Sequence, residues 1–244
     1  MRKITQQEFD NFHVINGYKK LPTGDYSNIK EFSDNCYFDP KCRFGEDSRF
    51  GNNCIFGDDC HFKNRSYFGD RCKFGNNSVF GYASRFADNC RFGDNCHFDP
   101  RCRLGDNSRF GSGCYFGYHS NFGNNGRIGN NCRFDNNCSF GNDYRFGDNC
   151  CMGHLFTFGH GCRFGDDLIY NNIFMKNNTV HLVSGIKPIE SIYHWLSVDN
   201  TSYFQRENLC WGTEEETLKF INNEYGTDHI YHDAIKLLKK IKVN

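Results

Sequence analysis

From Phe38 to Phe164 every sixth residue is apolar, and mostly small or polar residues fill the places between. Of these 22 positions 19 are Phe, with Leu104, Ile128 and Met152 as the exceptions, so a single side-chain type dominates the inward position. The residue just after is Gly in 17 of the 22 units, and the residue two before is Cys in thirteen and Ser in six. The unit is therefore Cys/Ser-x-Phe-Gly-Asp/Asn-Asn, as in Cys90-Arg91-Phe92-Gly93-Asp94-Asn95. Within it the small residue and the ring are two apart, so on an extended strand they share one side and the residue between points away. Gly and Asn then supply the corner, where restricted backbone angles are needed. Short strand, corner, short strand: the chain coils. Phe32 and Tyr170 prolong the period at either end.

This pattern resembles that of the hexapeptide-repeat family, whose motif places an aliphatic residue before Gly and a small residue two places ahead of it. The resemblance implies an all-β solenoid, a left-handed parallel β-helix with three hexads per coil, of about eight coils here. The hand follows only from the resemblance, because the general crossover rule favours the right. The chain departs from the family in carrying Phe where Ile, Leu or Val is usual, which predicts a core of stacked rings with Cys or Ser beside them. Burying one ring does not offset the entropy of ordering six residues, so the coils are expected to be stable only collectively.

The ends read differently. Thr5-Gln6-Gln7-Glu8 is a capping-box pattern that predicts a short helix over an open end, and Pro22, Gly24 and Asp25 turn the chain into the first coil. At the far end the period fades through Leu168, Tyr170 and Phe174. Residues 191–197 and 201–206 flank Val198-Asp199-Asn200 as a hairpin. Thr213-Glu214-Glu215-Glu216 opens a helix that stops at Gly226, and Thr227 caps a last one with Ile230, Ala234, Ile235, Leu237, Leu238 and Ile241 on one stripe. The expected organisation is an N-terminal cap over 1–31, a β-helix over 32–187 and a small α+β appendage over 188–244.

The stretch Gly17-Tyr18-Lys19-Lys20-Leu21-Pro22-Thr23-Gly24-Asp25-Tyr26, followed by Phe-Gly hexads and then Cys210-Trp211-Gly212-Thr213, is similar to small proteins encoded by bacteriophages and prophages. That similarity implies an accessory phage protein working in the cytoplasm of a host cell. It supplies no catalytic residue.

Composition changes the picture in two places. The 29 basic and 29 acidic residues balance, so no bulk field draws the protein to nucleic acid or membrane, and no apolar run is long enough to span a bilayer. The 15 cysteines follow the hexad and not a disulfide framework. At eighteen-residue spacing Cys36, Cys54, Cys72 and Cys90 form one inward ladder, and Cys42, Cys60, Ser78, Cys96, Cys114, Cys132 and Cys150 another. Small apolar filler is the expected role, with Cys151 and Cys210 the accessible thiols.

Candidate chemistry is sparse. The resemblance implies an acyltransferase whose His, near an extruded loop, deprotonates the acceptor while acyl-coenzyme A lies between subunits. The register here holds without an inserted loop, and His61, His97, His119, His154 and His160 fall on outward or corner positions as solvated side chains. No catalytic residue, metal or cofactor is assigned, and outward Thr is confined to Thr157, which excludes an ice-binding row.

The sharpest hint is a column of cations: Lys73, Arg91, Arg109, Arg127, Arg145 and Arg163 fall on one face at eighteen-residue spacing. Stacked like charges repel, so something must compensate them. One account is the Asp of neighbouring corners, either Asp70, Asp88 and Asp106 or Asp58, Asp94, Asp148 and Asp166. The other is a partner: an acidic protein, or less suitably a nucleic acid, since aromatic residues do not interleave with this column. The expected function is a non-enzymatic rigid scaffold binding a macromolecule, with an acyltransferase as the alternative. The pattern implies nothing about oligomeric state.

Overall fold

The computed structural model describes residues 1–153 of the 244 without a break, then 155–159, 162–165, 168–170, 173–174, 181–184, 191–196, 202–206, 210–225 and residue 235. The hexads form a parallel β-solenoid of about eight coils. Each contributes a two-residue strand, such as Arg91–Phe92, whose first side chain is exposed and whose second is buried. Residue n pairs with residue n+18, for instance Lys73 with Arg91 and Phe74 with Phe92, so three hexads close a coil. Three sheets run along the rod, of nine, eight and ten described strands, called here the first, second and third faces.

The core is an ordered array of rings. Within a coil consecutive rings meet edge to face, as Phe38 and Phe44 do at 4.9 Å and 89°. Between coils they stack, as Phe38 and Phe56 do at 4.9 Å and 1°. Both are favoured arrangements of aromatic quadrupoles, and the stacking distance matches the spacing of about 4.8 Å between strands. The period of the backbone and the preferred period of the rings therefore coincide.

The corners work otherwise than the hexad alone suggests. The left-handed conformation falls on the third place after the ring, at every corner from Asn35 to Leu155, with non-glycine φ between 55° and 65°. Among the described residues of the repeat, Gly113 is the glycine with positive φ, and it stands at that same third place. The glycine at the first place has another reason: a Cβ on Gly75 would lie 2.5 Å from the Asp58 nitrogen and 2.6 Å from the Gly57 carbonyl carbon. The coil beneath leaves no room for a side chain. The Asx residue at the second place joins coils directly, its side-chain oxygen accepting the backbone N–H eighteen residues on. Asp94 N–H donates to Asn76 Oδ1 at 2.7 Å and Ser112 N–H to Asp94 Oδ1 at 2.7 Å.

The small inward residue is also more than filler. Ser84 Oγ donates to the Gly81 carbonyl at 2.7 Å, and Ser120 Oγ to the Gly117 carbonyl at 2.8 Å. The thiols reach equivalent carbonyls of the preceding coil: Cys114 Sγ to Gly93 O at 3.5 Å and Cys132 Sγ to Gly111 O at 3.4 Å. Those carbonyls sit at corners, outside the backbone ladder, so a hydroxyl or thiol satisfies them where Ala or Val would not.

One irregularity explains two exceptions in the repeat. Tyr144 occupies a small-residue place and is wholly buried. A Cβ on Gly126, one coil below, would clash with its Cζ, so that small-residue place holds glycine. The Tyr144 hydroxyl has no hydrogen-bond partner, a cost the surrounding packing must offset.

Both ends are dressed. Helix α1 (Gln6–Asn11) begins in the expected capping box, with Thr5 N–H donating to Glu8 Oε2 at 2.8 Å, and its Phe9 meets Phe32 edge to face at 5.3 Å. Strands β1 (Val14–Ile15) and β2 (Tyr18–Leu21) form a hairpin on the first face, turning through Asn16 at φ 51° and Gly17 at φ 79°. Such a two-residue turn needs both residues left-handed. At the other end Ile169–Tyr170 pairs parallel with Cys151–Met152, and Ile173–Phe174 then pairs antiparallel, which ends the coiling on the third face.

Farther on, Ser191–Leu196 and Ser202–Arg206 form the expected hairpin. Two strands the pattern did not predict, His181–Ser184 and Cys210–Thr213, extend it to a four-stranded antiparallel sheet. Helix α2 (Glu214–Tyr225) follows, capped by Thr213, whose N–H donates to Glu216 Oε2 at 2.8 Å. The last expected helix lies outside the described residues except for Ile235, which is helical and buried. No described helix is long and apolar enough to cross a membrane.

Candidate functional site

The alternation that buries each Phe also fixes what the surface presents. Lys73, Arg91, Arg109, Arg127 and Arg145 are direct register partners on consecutive strands of the first face, and Arg163 continues the column by a bridge to Arg145. All six are exposed. The column begins earlier with Lys20, Tyr37 and Ile55. At its N-terminal end lies an open groove of about 550 Å³, lined by Tyr18, Asn53, Ile55, Arg71, Lys73, Asn89 and Arg91. Arg71 was not among the residues singled out from the sequence. It stands at the left-handed corner place between Asn53 and Asn89, and the same eighteen-residue spacing could have found it.

The neighbouring carboxylates do not pair with these cations. Among the described residues none of the six is in an ion pair; the acid–base contacts are Arg2–Glu8, Arg65 with Glu46 and Asp47, and His97–Asp99. Asp70 and Asp88 each accept the backbone N–H of the next coil, at 3.0 and 2.8 Å, and Asp106 accepts that of Asn124 at 2.7 Å. Asp58 does the same for Asn76 at 2.7 Å. Corner geometry holds these side chains against the backbone, so their charges flank the ladder without contacting it. Asp166 lies outside the described residues.

The histidines are dispersed. His61 and His97 are exposed on the third face, with His97 Nε2 3.3 Å from Asp99 Oδ1 and its ring stacked on Tyr115 at 4.7 Å. His119 occupies a left-handed corner at φ 58°, and His154 and His160 lie outside the described residues. None of His61, His97 and His119 lines the groove at the N-terminal end of the cation column.

Every inward cysteine from Cys36 to Cys150 is buried with a free thiol. Burial pushes Cys102 and Cys138 up to about 12 and Cys162 up to about 11, which keeps them protonated and poor nucleophiles. Cys151 is half-buried at an outward place, and the Cys210 side chain lies outside the described residues. Among the described residues no three His, Cys, Asp or Glu side chains are placed to hold a metal ion.

No family model, no curated protein and no solved structure matches this chain.

Proposed function

We propose that the protein is a non-enzymatic binding scaffold, a phage-type accessory protein of the host cytoplasm, whose first face docks an acidic protein surface. The observation that carries this reading is the unbroken ladder from Lys73 to Arg163, exposed and without an ion-pair partner among the described residues. Six cations repeated at about 4.8 Å are an electrostatically costly arrangement in isolation, and an anionic surface relieves it. A rigid solenoid also presents them without further ordering, which lowers the entropic cost of association.

The test uses a fluorescein-labelled poly-glutamate peptide and fluorescence polarisation across a salt series, on the parent chain and on Arg109→Glu/Arg127→Glu. Folding should survive, because exposed ionic contacts are worth about 0–1 kcal/mol each. Affinity should fall at least tenfold and its salt dependence should flatten. Equal affinity of parent and variant removes the ladder from the binding surface. Acyl transfer from coenzyme A, abolished by changing one His, would establish the acyltransferase instead.

A further inference from the structure

The second face carries different chemistry. Its outward column runs Glu31, Arg49, Tyr67, Arg85, Arg103, Asn121, each the register partner of the next. Here an aromatic residue does interleave with cations. Tyr67 is 46% exposed, with Arg49 one coil below and Arg85 one coil above. Hollows of about 560 and 480 Å³ lie along this face and share Tyr67 and Arg85, so they form one trough.

The corner between the third and second faces adds to it. Between Asn64 and Asn136 its second places hold Tyr82, Pro100 and Tyr118, where the two corners beside the first face hold mostly Asp and Asn. Tyr82 is 37% exposed and Tyr118 44%. Arg101 at the same corner lies 5.7 Å from the Tyr82 ring. Glu31 closes the lower end of the column, and the two carboxylates at the adjoining corner, Asp47 and Glu46, are both taken up by Arg65, Asp47 through bonds of 2.7 and 2.9 Å. Arg49, Arg85 and Arg103 are in no ion pair among the described residues.

We propose that this trough binds a single strand of nucleic acid, its bases stacking on Tyr67, Tyr82 and Tyr118 and its phosphates meeting Arg49, Arg85 and Arg103. Exposed rings beside a row of cations on a rigid face are what a single strand needs, because every base has a π-face and every nucleotide a phosphate. A folded acidic protein offers the charge but not the repeated flat rings. A duplex offers the phosphates but keeps its bases stacked inside. The inference is independent of the first face, which carries no exposed ring between its cations from Lys73 to Arg163.

The experiment measures polarisation of a fluorescein-labelled oligodeoxythymidylate of about 16 nucleotides, the upper site size of common single-strand modules. Three phosphate contacts predict that the logarithm of affinity falls with that of salt with a slope of about −2, at about −0.7 per contact. Tyr67→Ala/Tyr118→Ala should weaken binding at least tenfold with little change in slope. Arg49→Gln/Arg85→Gln should weaken it and reduce the slope by about two thirds, to about −0.7. Arg109→Glu/Arg127→Glu should leave it nearly unchanged, which separates this trough from the ladder on the first face. All these positions are exposed, so circular dichroism should match the parent. The proposal is overturned by no binding at about 50 mM salt, by binding indifferent to the tyrosine changes, or by poly-glutamate competing as well as the oligonucleotide.

Discussion

At the scale of single residues, a hexad such as Cys114-Tyr115-Phe116-Gly117-Tyr118-His119 answers several distinct demands at once. Phe116 stacks on Phe98 at 4.8 Å, Gly117 leaves room for Pro100 beneath it, and His119 adopts the left-handed corner. The remaining demand, a donor for the corner carbonyl, falls on Cys114. Replacing Cys114 by Ser keeps a donor and moves it to a corner carbonyl of its own coil, as Ser108 shows with its Oγ 3.0 Å from the Gly105 carbonyl three residues before it. Replacing it by Val fills the volume and removes the donor. The expected outcome in urea unfolding is a small loss for Cys114→Ser and a further loss of about 1–3 kcal/mol for Cys114→Val, the cost of an unsatisfied buried polar group. Equal midpoints for the two variants would reduce the thiol to filler.

At the scale of elements, the coil containing Tyr144 is held by a compensated exchange with the coil below. Restoring the usual small residue at Gly126 makes a Cβ clash with the Tyr144 Cζ, while Tyr144→Cys alone empties a buried ring-sized space. Gly126→Cys and Tyr144→Cys should therefore each destabilise the rod. The double variant, which regains the common pattern, should lose at least about 1 kcal/mol less than the sum of the singles, a coupling within reach of a thermodynamic cycle. Strict additivity would mean the two sites do not share this space.

The strand-and-corner plan, the inward Phe and the cation column were legible in the sequence because each recurs, so spacing alone defines it. What could not be read from one hexad depends on the coil beneath. The exclusion of Cβ at Gly75 involves residues seventeen and eighteen before it, and the bond by which Ser112 N–H donates to Asp94 Oδ1 spans eighteen. The cysteine bond from Cys114 to Gly93 spans twenty-one. Tyr67 between Arg49 and Arg85 was visible at the same spacing as the ladder, but a mixed column draws less notice than a uniform one. The strands His181–Ser184 and Cys210–Thr213 were hidden for a plainer reason: each has four residues, too few to show an alternation.

At the scale of the whole molecule, local fold and surface pattern are governed by different integers. The hexad needs six residues, but a column on one face needs eighteen. A length change in the middle of the rod is therefore tolerated by the core whenever it is a multiple of six, and by the surface only when it is a multiple of three hexads. Removing residues 93–110 takes out one coil and leaves Lys73, Arg91, Arg127, Arg145 and Arg163 in line. Removing only residues 93–98 keeps every remaining hexad whole but places Tyr115, Arg133 and Cys151 above Arg91. Both shortened chains should give parent-like circular dichroism and cooperative melting, yet the poly-glutamate peptide should be retained only by the first. Surface identity in such a rod thus has a phase, much as a message has a reading frame. A deletion silent to folding can scramble every binding face downstream of it, and lineages that keep their partners are free to change length only by whole turns.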